Sequence, residues 1–270
     1  MALLTTLSLL SSVAYALEAP VGLGTADSYA VLAGSTITNT GPTVVLGDLG
    51  LDPGTAVVGF TGPPDGLVIG AKHVKDAAAA QAKSDLVTAY NDAAGRPATG
   101  DTSGTLATKT FKAGVYTASS SLLLTVNGTV TLDAEGDPNA VFIFKVASAL
   151  TMEVGSTVRL INGAQPCNVF WQVGSSATIG TNAVFKGTLM ALTSISVSSG
   201  ADIEGRLLAR NGEVTLINDT IKRPSCGVAG PPGTPGTPGT PGTPGTPGTP
   251  GAPGAPGAPG TPGTPGAPGT

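Results

Sequence analysis

Few residues in this chain of 270 are suited to chemistry: there is one histidine, His73, and there are two cysteines, Cys167 and Cys226. His73 stands near the start of a segment with helical patterning. No serine or cysteine motif sets a nucleophile beside a base at usable spacing, so His73 reads as a solvated or helix-packed side chain. Asp133, Glu135 and Asp137 crowd three carboxylates into Asp-Ala-Glu-Gly-Asp-Pro-Asn. That loop lacks the twelve-residue grammar of a calcium hand, and a turn is the better account. Asp48 and Asp52, amid Gly and Pro, read as turn and backbone-capping residues. No catalytic residue, metal or cofactor is therefore expected. Cys167 and Cys226 are compatible with one disulfide in an oxidising compartment, or with two free buried thiols. A bond would close a loop of about sixty residues and contribute on the order of 3–4 kcal/mol through the entropy of the unfolded chain. Asn127-Gly128-Thr129 and Asn218-Asp219-Thr220 are N-glycosylation sequons, of consequence if the source is a eukaryote.

What remains is a supply of hydroxyls, and the segments that carry them define the elements. From about residue 114 to 222, short β-rich runs alternate with Gly, Ser, Asn and Asp at spacings that suit solenoid corners. One set is Ala149-Leu150-Thr151-Met152, Ala177-Thr178-Ile179, Ile195-Ser196-Val197 and Val214-Thr215-Leu216. Alternation turns the apolar pair inward and Thr151, Thr178, Ser196 and Thr215 outward, and stacked coils make them a ladder about 4.8 Å apart. In a second set Val158, Phe185, Ile203 and Ile221 point inward while Arg159, Lys186, Glu204 and Lys222 point outward. A third set, including Val141-Phe142-Ile143-Phe144 and Val169-Phe170-Trp171-Gln172-Val173, is apolar at both parities, so something covers its outer face. The cover is a helix over about residues 71–94, with Val74, Ala78, Ala82, Leu86 and Tyr90 as its ridge and Gly95 and Pro97 as its stop. Residues 29–60 carry the same signature as the later coils, so the helix interrupts one solenoid, and residues 95–104 are a candidate end cap. The expected fold is an all-β, irregular, right-handed triangular β-helix with one long α-helix packed alongside.

Composition agrees with an extracellular domain. Charged residues make up 11% and the net charge is −4, with basic residues scattered, which leaves no footprint for nucleic acid. Residues 1–16 form an apolar run closing on Ala14-Tyr15-Ala16, as a secretory signal does, and no later segment is apolar enough to insert in a membrane. Residues 17–226 are then the folded domain. In residues 227–270, glycine recurs at every third position from Gly230, with Thr, Ala or Pro following it and then Pro, the pattern a collagen triple helix requires. The tail predicts either a homotrimer or an extended polyproline-like spacer.

Four blocks carry a resemblance. Ala30-Val31-Leu32-Ala33-Gly34-Ser35-Thr36-Ile37-Thr38-Asn39-Thr40-Gly41-Pro42-Thr43, Gly47-Asp48-Leu49-Gly50 with Pro53-Gly54, Asn168-Val169-Phe170-Trp171-Gln172-Val173-Gly174, and Gly205-Arg206-Leu207-Leu208-Ala209 resemble the DUF3494 ice-binding proteins of cold-adapted microbes. The resemblance covers about residues 24–226 and leaves out the tail. It implies a triangular β-solenoid with a parallel helix, and antifreeze or ice-recrystallisation-inhibiting activity without a cofactor.

Ice offers neither charge nor pocket, so its partner must present a rigid surface of small side chains, and threonine, stiff at χ1, suits that role. Two faces compete. The pattern of residues favours the ladder of Thr151, Thr178, Ser196 and Thr215. The resemblance favours the neighbouring face, with Thr157, Thr181, Val184, Ser199, Asp202 and Thr220, and that face is preferred for location. A secreted ice binder is the expected function. A structural or adhesive surface protein, multimerised by its tail, is the alternative.

Overall fold

The computed structural model describes residues 18–226; the expected leader at 1–16 and the collagen-like tail lie outside them. Within the domain every strand pairing is parallel, each strand lying on the equivalent strand of the next coil. The pairings form three ladders. One runs through Gly100–Asp101, Gly114–Ala118, Phe142–Val146, Val169–Val173, the second halves of Val184–Ala191 and Asp202–Ala209, then Tyr29–Ala33, Asp48–Leu51 and Lys72–Val74. A second runs through Gly104–Thr105, Leu122–Leu124, Leu150–Met152, Ala177–Ile179, Ile195–Val197, Val214–Ile217, Thr36–Thr40 and Ala56–Val58. The third contains Thr110–Lys112, Thr129–Asp133, Thr157–Ile161, the first halves of Val184–Ala191 and Asp202–Ala209, Thr220–Lys222, Val44–Leu46 and Leu67–Ile69.

Order along the stack is not order along the chain. The coil at residues 29–46 lies directly on the one at 206–222, with Val31 opposite Leu207, Thr38 opposite Thr215 and Val44 opposite Thr220. The early coils thus do belong to the same stack, but they extend its C-terminal end. The chain must then travel from Lys72–Val74 at one end to Gly100–Asp101 at the other, and a helix of 19 residues, about 28 Å long, makes most of that journey. Residues 95–104 supply strands at the far end of two ladders.

The helix is Ala77–Gly95, six residues shorter at its start than the expected 71–94. Residues 72–74 pair instead with 49–51, Lys75 takes a left-handed conformation (φ 52°), and the Asp76 carboxylate caps the helix by accepting from the Ala79 N–H at 2.8 Å. Val74 and Ala78 are therefore exposed. The face that packs consists of Ala79, Ala82, Lys83, Leu86, Ala89, Tyr90 and Ala93. It covers Val115, Ile143, Phe170, Met190, Leu208 and Leu32, the outward apolar positions of the first ladder. Alanines bring the helix axis close, and polar contacts fix its register. Lys83 donates to the Ala209 and Arg210 carbonyls at 2.6 and 2.5 Å, and Gln172 donates to the Tyr90 hydroxyl, which donates to the Val173 carbonyl. Lys145 meets the helix C-terminus at the Arg96 carbonyl, 2.6 Å away.

Inside the coils, equivalent positions stack. Tyr116, Phe144 and Trp171 occupy successive coils with ring centroids 5.5 and 4.2 Å apart, and the Trp171 Nε1–H donates to the Lys186 carbonyl. Between the second and third ladders each of eight coils turns on a left-handed residue: Thr108, Asn127, Gly155, Asn182, Gly200, Asn218, Gly41 and Gly59, with φ from 53° to 81°. Asn and Gly tolerate that conformation best. Here they alternate for a further reason, since a Cβ on Gly155 or Gly200 would meet the Asn127 or Asn182 side-chain oxygen at 2.3 or 2.4 Å.

Candidate functional site

Each sequence-predicted chemical group has a structural place. His73 sits in the short strand just before the helix, and its Nδ1 lies 2.8 Å from the carboxylate of the helix cap Asp76. The Asp133 carboxylate accepts from the Glu135 N–H and from Asn162, and Asp137 accepts from the Asn139 N–H, the geometry of hydrogen-bonded turns. Asp48 accepts the Ala71 N–H. Cys167 and Cys226 are joined, with Cα atoms 5.6 Å apart across 59 positions. The sequon residues Asn127 and Asn218 are exposed and serve as left-handed corners. Among the described residues no three His, Cys, Asp or Glu side chains gather as metal ligands would.

On the second ladder the register puts Thr151, Thr178, Ser196, Thr215 and Thr38 in one outward column. Their inward neighbours Leu150, Met152, Ala177, Ile179, Ile195, Val197, Val214 and Leu216 are buried, which fixes the strand faces. The Thr38 hydroxyl donates to that of Thr215 at 3.3 Å, so rungs are also linked along the stack. Thr105 extends the column at one end, Leu123 interrupts it, and Val58 closes it at the other end.

Two positions before this column lies another that sequence reasoning missed: Ser121, Ala149, Ser176, Ser194, Glu213 and Thr36, each directly preceding a paired strand residue. Its serines are bonded coil to coil. The hydroxyl oxygens of Ser121, Ser176 and Ser194 accept the backbone N–H of Ala149, Ser194 and Glu213, each at 3.3 Å. The signal was present as hydroxyls two apart, in Ser176-Ala177-Thr178, Ser194-Ile195-Ser196 and Thr36-Ile37-Thr38.

The third ladder brings together four of the six residues expected on the neighbouring face. Thr157, Val184, Asp202 and Thr220 share one column, continued by Thr129 and Val44. Thr181 and Ser199 immediately precede the corner residues Asn182 and Gly200, and so lie at its edge. The next outward positions are charged: Lys186, Glu204 and Lys222 lie opposite one another, Lys186 and Glu204 paired at 3.0 Å, and Arg159 stands two residues beyond Thr157 on the preceding coil. Beneath this face Asp219 is buried, and burial pushes its carboxyl up to about 6 although the Ile217 and Ala201 N–H groups bond to it.

Parallel coils with stacked columns of small hydroxyl side chains define a class of binding proteins that present a repeating surface. Within that class, the Ice-binding-like family model matches residues 31–222, and the chain belongs to that family. The Collagen triple helix repeat model matches residues 223–270. Among similar proteins, the ice-binding protein of Nostoc sp. (strain HG1) is 47% identical over 196 residues, which are 72% of this chain and 71% of that one. Ice-binding protein 1 of Shewanella frigidimarina is 37% identical over 72% of this chain, which spans only 25% of that longer relative. A solved ice-binding protein from an Antarctic biological consortium is 47% identical, with a TM-score of 0.73 over 80% of this chain and 95% of that one. Another from the Antarctic ascomycete Antarctomyces psychrotrophicus is 38% identical, with a TM-score of 0.72 over 76% and 99%.

Proposed function

We propose that the domain adsorbs to ice through the hydroxyl columns of the second ladder. The observation that carries this choice is charge. Thr151, Thr178, Ser196, Thr215 and Thr38 stand in an unbroken hydroxyl run, whereas the third ladder sets Lys186, Glu204 and Lys222 side by side and carries exposed Arg159 as well. A charged group holds its own hydration shell and loses free energy when forced into contact with a surface that cannot solvate it. Threonine has a methyl to exclude loose water and a hydroxyl to hold ordered water, with little rotamer entropy to lose. Adsorbed molecules then pin the ice front, which grows in curved bulges between anchors at a lowered local freezing point. No bond is made or broken.

The face of Thr157, Val184, Asp202 and Thr220 is the competing location, favoured by the family resemblance. Thr178→Tyr should abolish inhibition of ice recrystallisation by the full chain while Thr157→Tyr leaves it, both variants retaining the parent unfolding temperature. Loss with Thr157→Tyr alone would move the site to the third ladder.

The coil is taken to be three-sided and right-handed, because a strand returning to a parallel neighbour in one sheet crosses over right-handedly. The leader at residues 1–16 supports secretion, and among the described residues no helix is long and apolar enough to cross a membrane. The collagen-like repeat supports a second reading in which the tail trimerises and displays several ice-binding or adhesive heads, with a gain in avidity. Sedimentation of chains with and without residues 230–270 tests it: the full chain should sediment as a trimer and the shortened chain as a monomer.

A further inference from the structure

We infer that Glu213 is the residue that limits how well this chain holds ice; the inference rests on the second ladder being the adsorbing face. The column two positions before the threonines is a staircase in which each serine hydroxyl oxygen accepts an N–H of the next coil. Ser176 bonds Ser194, and Ser194 bonds Glu213. A serine oxygen held in this way cannot rotate freely, and its own O–H remains available to water outside. Beside the threonine column, Ser176 and Ser194 thus set two successive fixed hydroxyls at the same coil-to-coil repeat, with Ala149 before them, so on these coils the surface orders water in two directions rather than one.

The staircase stops at Glu213. Its place in the register is that of the serines, one coil on, and the following coil offers Thr36. Instead of a short hydroxyl, the position carries an exposed carboxylate that reaches along the stack to accept the Thr36 hydroxyl at 3.3 Å. That does two things to the face. It places a hydrated charge next to Thr215 and Thr38 in the adjoining column, and it ties up the Thr36 hydroxyl that would have continued the row. Glu153, the other acid near this ladder, is turned away to accept the Val126 N–H at 2.9 Å toward the corner, so it does not interrupt either row.

Glu213→Ser supplies the missing step, since a serine there can accept the Thr36 N–H as Ser194 accepts that of Glu213. Glu213→Gln removes the charge and keeps the length. The test measures ice recrystallisation inhibition of the full chain against concentration, with thermal unfolding as a check on folding. The expected result is that Glu213→Ser lowers the concentration needed several-fold and that Glu213→Gln falls between it and the parent. Equal or weaker inhibition by both variants, at parent stability, overturns the role of Glu213. Thr178→Tyr in the same assay separates the two levels. If it leaves inhibition intact, the second ladder is not the face; if it abolishes inhibition while Glu213→Ser gains nothing, only the role of Glu213 fails.

Discussion

Asp219 and Arg206 each bury a charge-bearing group with its partners. The folded-state carboxyl of Asp219 stands near 6, above its ordinary value of 3.8, because burial outweighs its backbone N–H bonds. The folded protein therefore holds a proton that the unfolded chain releases between about pH 4 and 6. That contribution is fully present below about pH 4 and is lost as pH rises through 6. Chemical denaturation should show stability falling across this window, by at most about 3 kcal/mol. Asp219→Asn should flatten the profile and lower it throughout, because its amide group faces the Ile217 N–H. The carboxyls of Asp76, Asp85 and Asp133 are held below their usual range by hydrogen bonds, so they weaken the fold only in more acid solution. Arg206, 3% exposed, donates to the Asp27 carbonyl and carboxylate and to the Thr188 hydroxyl. Arg206→Met keeps the packing but leaves those acceptors short of a donor, and should cost about 2–3 kcal/mol in equilibrium unfolding.

At the scale of elements, the corner between the second and third ladders decides whether one coil can sit on the next. Gly155 and Gly200 are left-handed and lie under asparagine side chains of the adjoining coils. Alanine at either position should lower stability by about 1–2 kcal/mol, chiefly through the left-handed backbone, since the Asn127 or Asn182 amide can swing aside. Gly155→Asn retains a residue that tolerates that backbone, and should cost less than Gly155→Ala if conformation rather than space is limiting; thermal unfolding of the pair measures the difference. The helix shows how local pattern and tertiary pairing divide a segment. Its alanine stripe and its stop at Gly95 are written in the sequence. Residues 72–74 fit a helical pattern equally well, but their N–H and C=O groups pair with the edge strand at 49–51, and the N-cap moves to Asp76.

Over the whole molecule, the early coils close onto the late ones. Residues 29–46 find their partners about 177 positions away, at 206–222. Loops that long must close before the contacts form, so refolding followed by Trp171 fluorescence should be slow, in the range of seconds or longer. Cys167–Cys226 lies where the domain passes into the collagen-like repeat, and removing it with paired serines should cost on the order of 4 kcal/mol by the entropy of a sixty-residue loop.

Much of this protein is legible one residue at a time. Strand alternation assigned the inward apolar positions and the outward hydroxyls of Thr151, Thr178, Ser196 and Thr215, because side chains alternate across a strand whatever the strand touches. Runs apolar at both parities announced a covered face, and the alanine-rich segment announced its cover. Three things needed the folded chain. Register between distant segments puts residues 29–46 beyond residues 206–222, and no local pattern encodes which coil neighbours which. Corner geometry separates Thr181 and Ser199 from the column that holds Thr157, Val184, Asp202 and Thr220. The serine staircase ending at Glu213 exists only because hydroxyls in one coil meet amides in the next, a contact perpendicular to the chain that a sequence read along its length does not display.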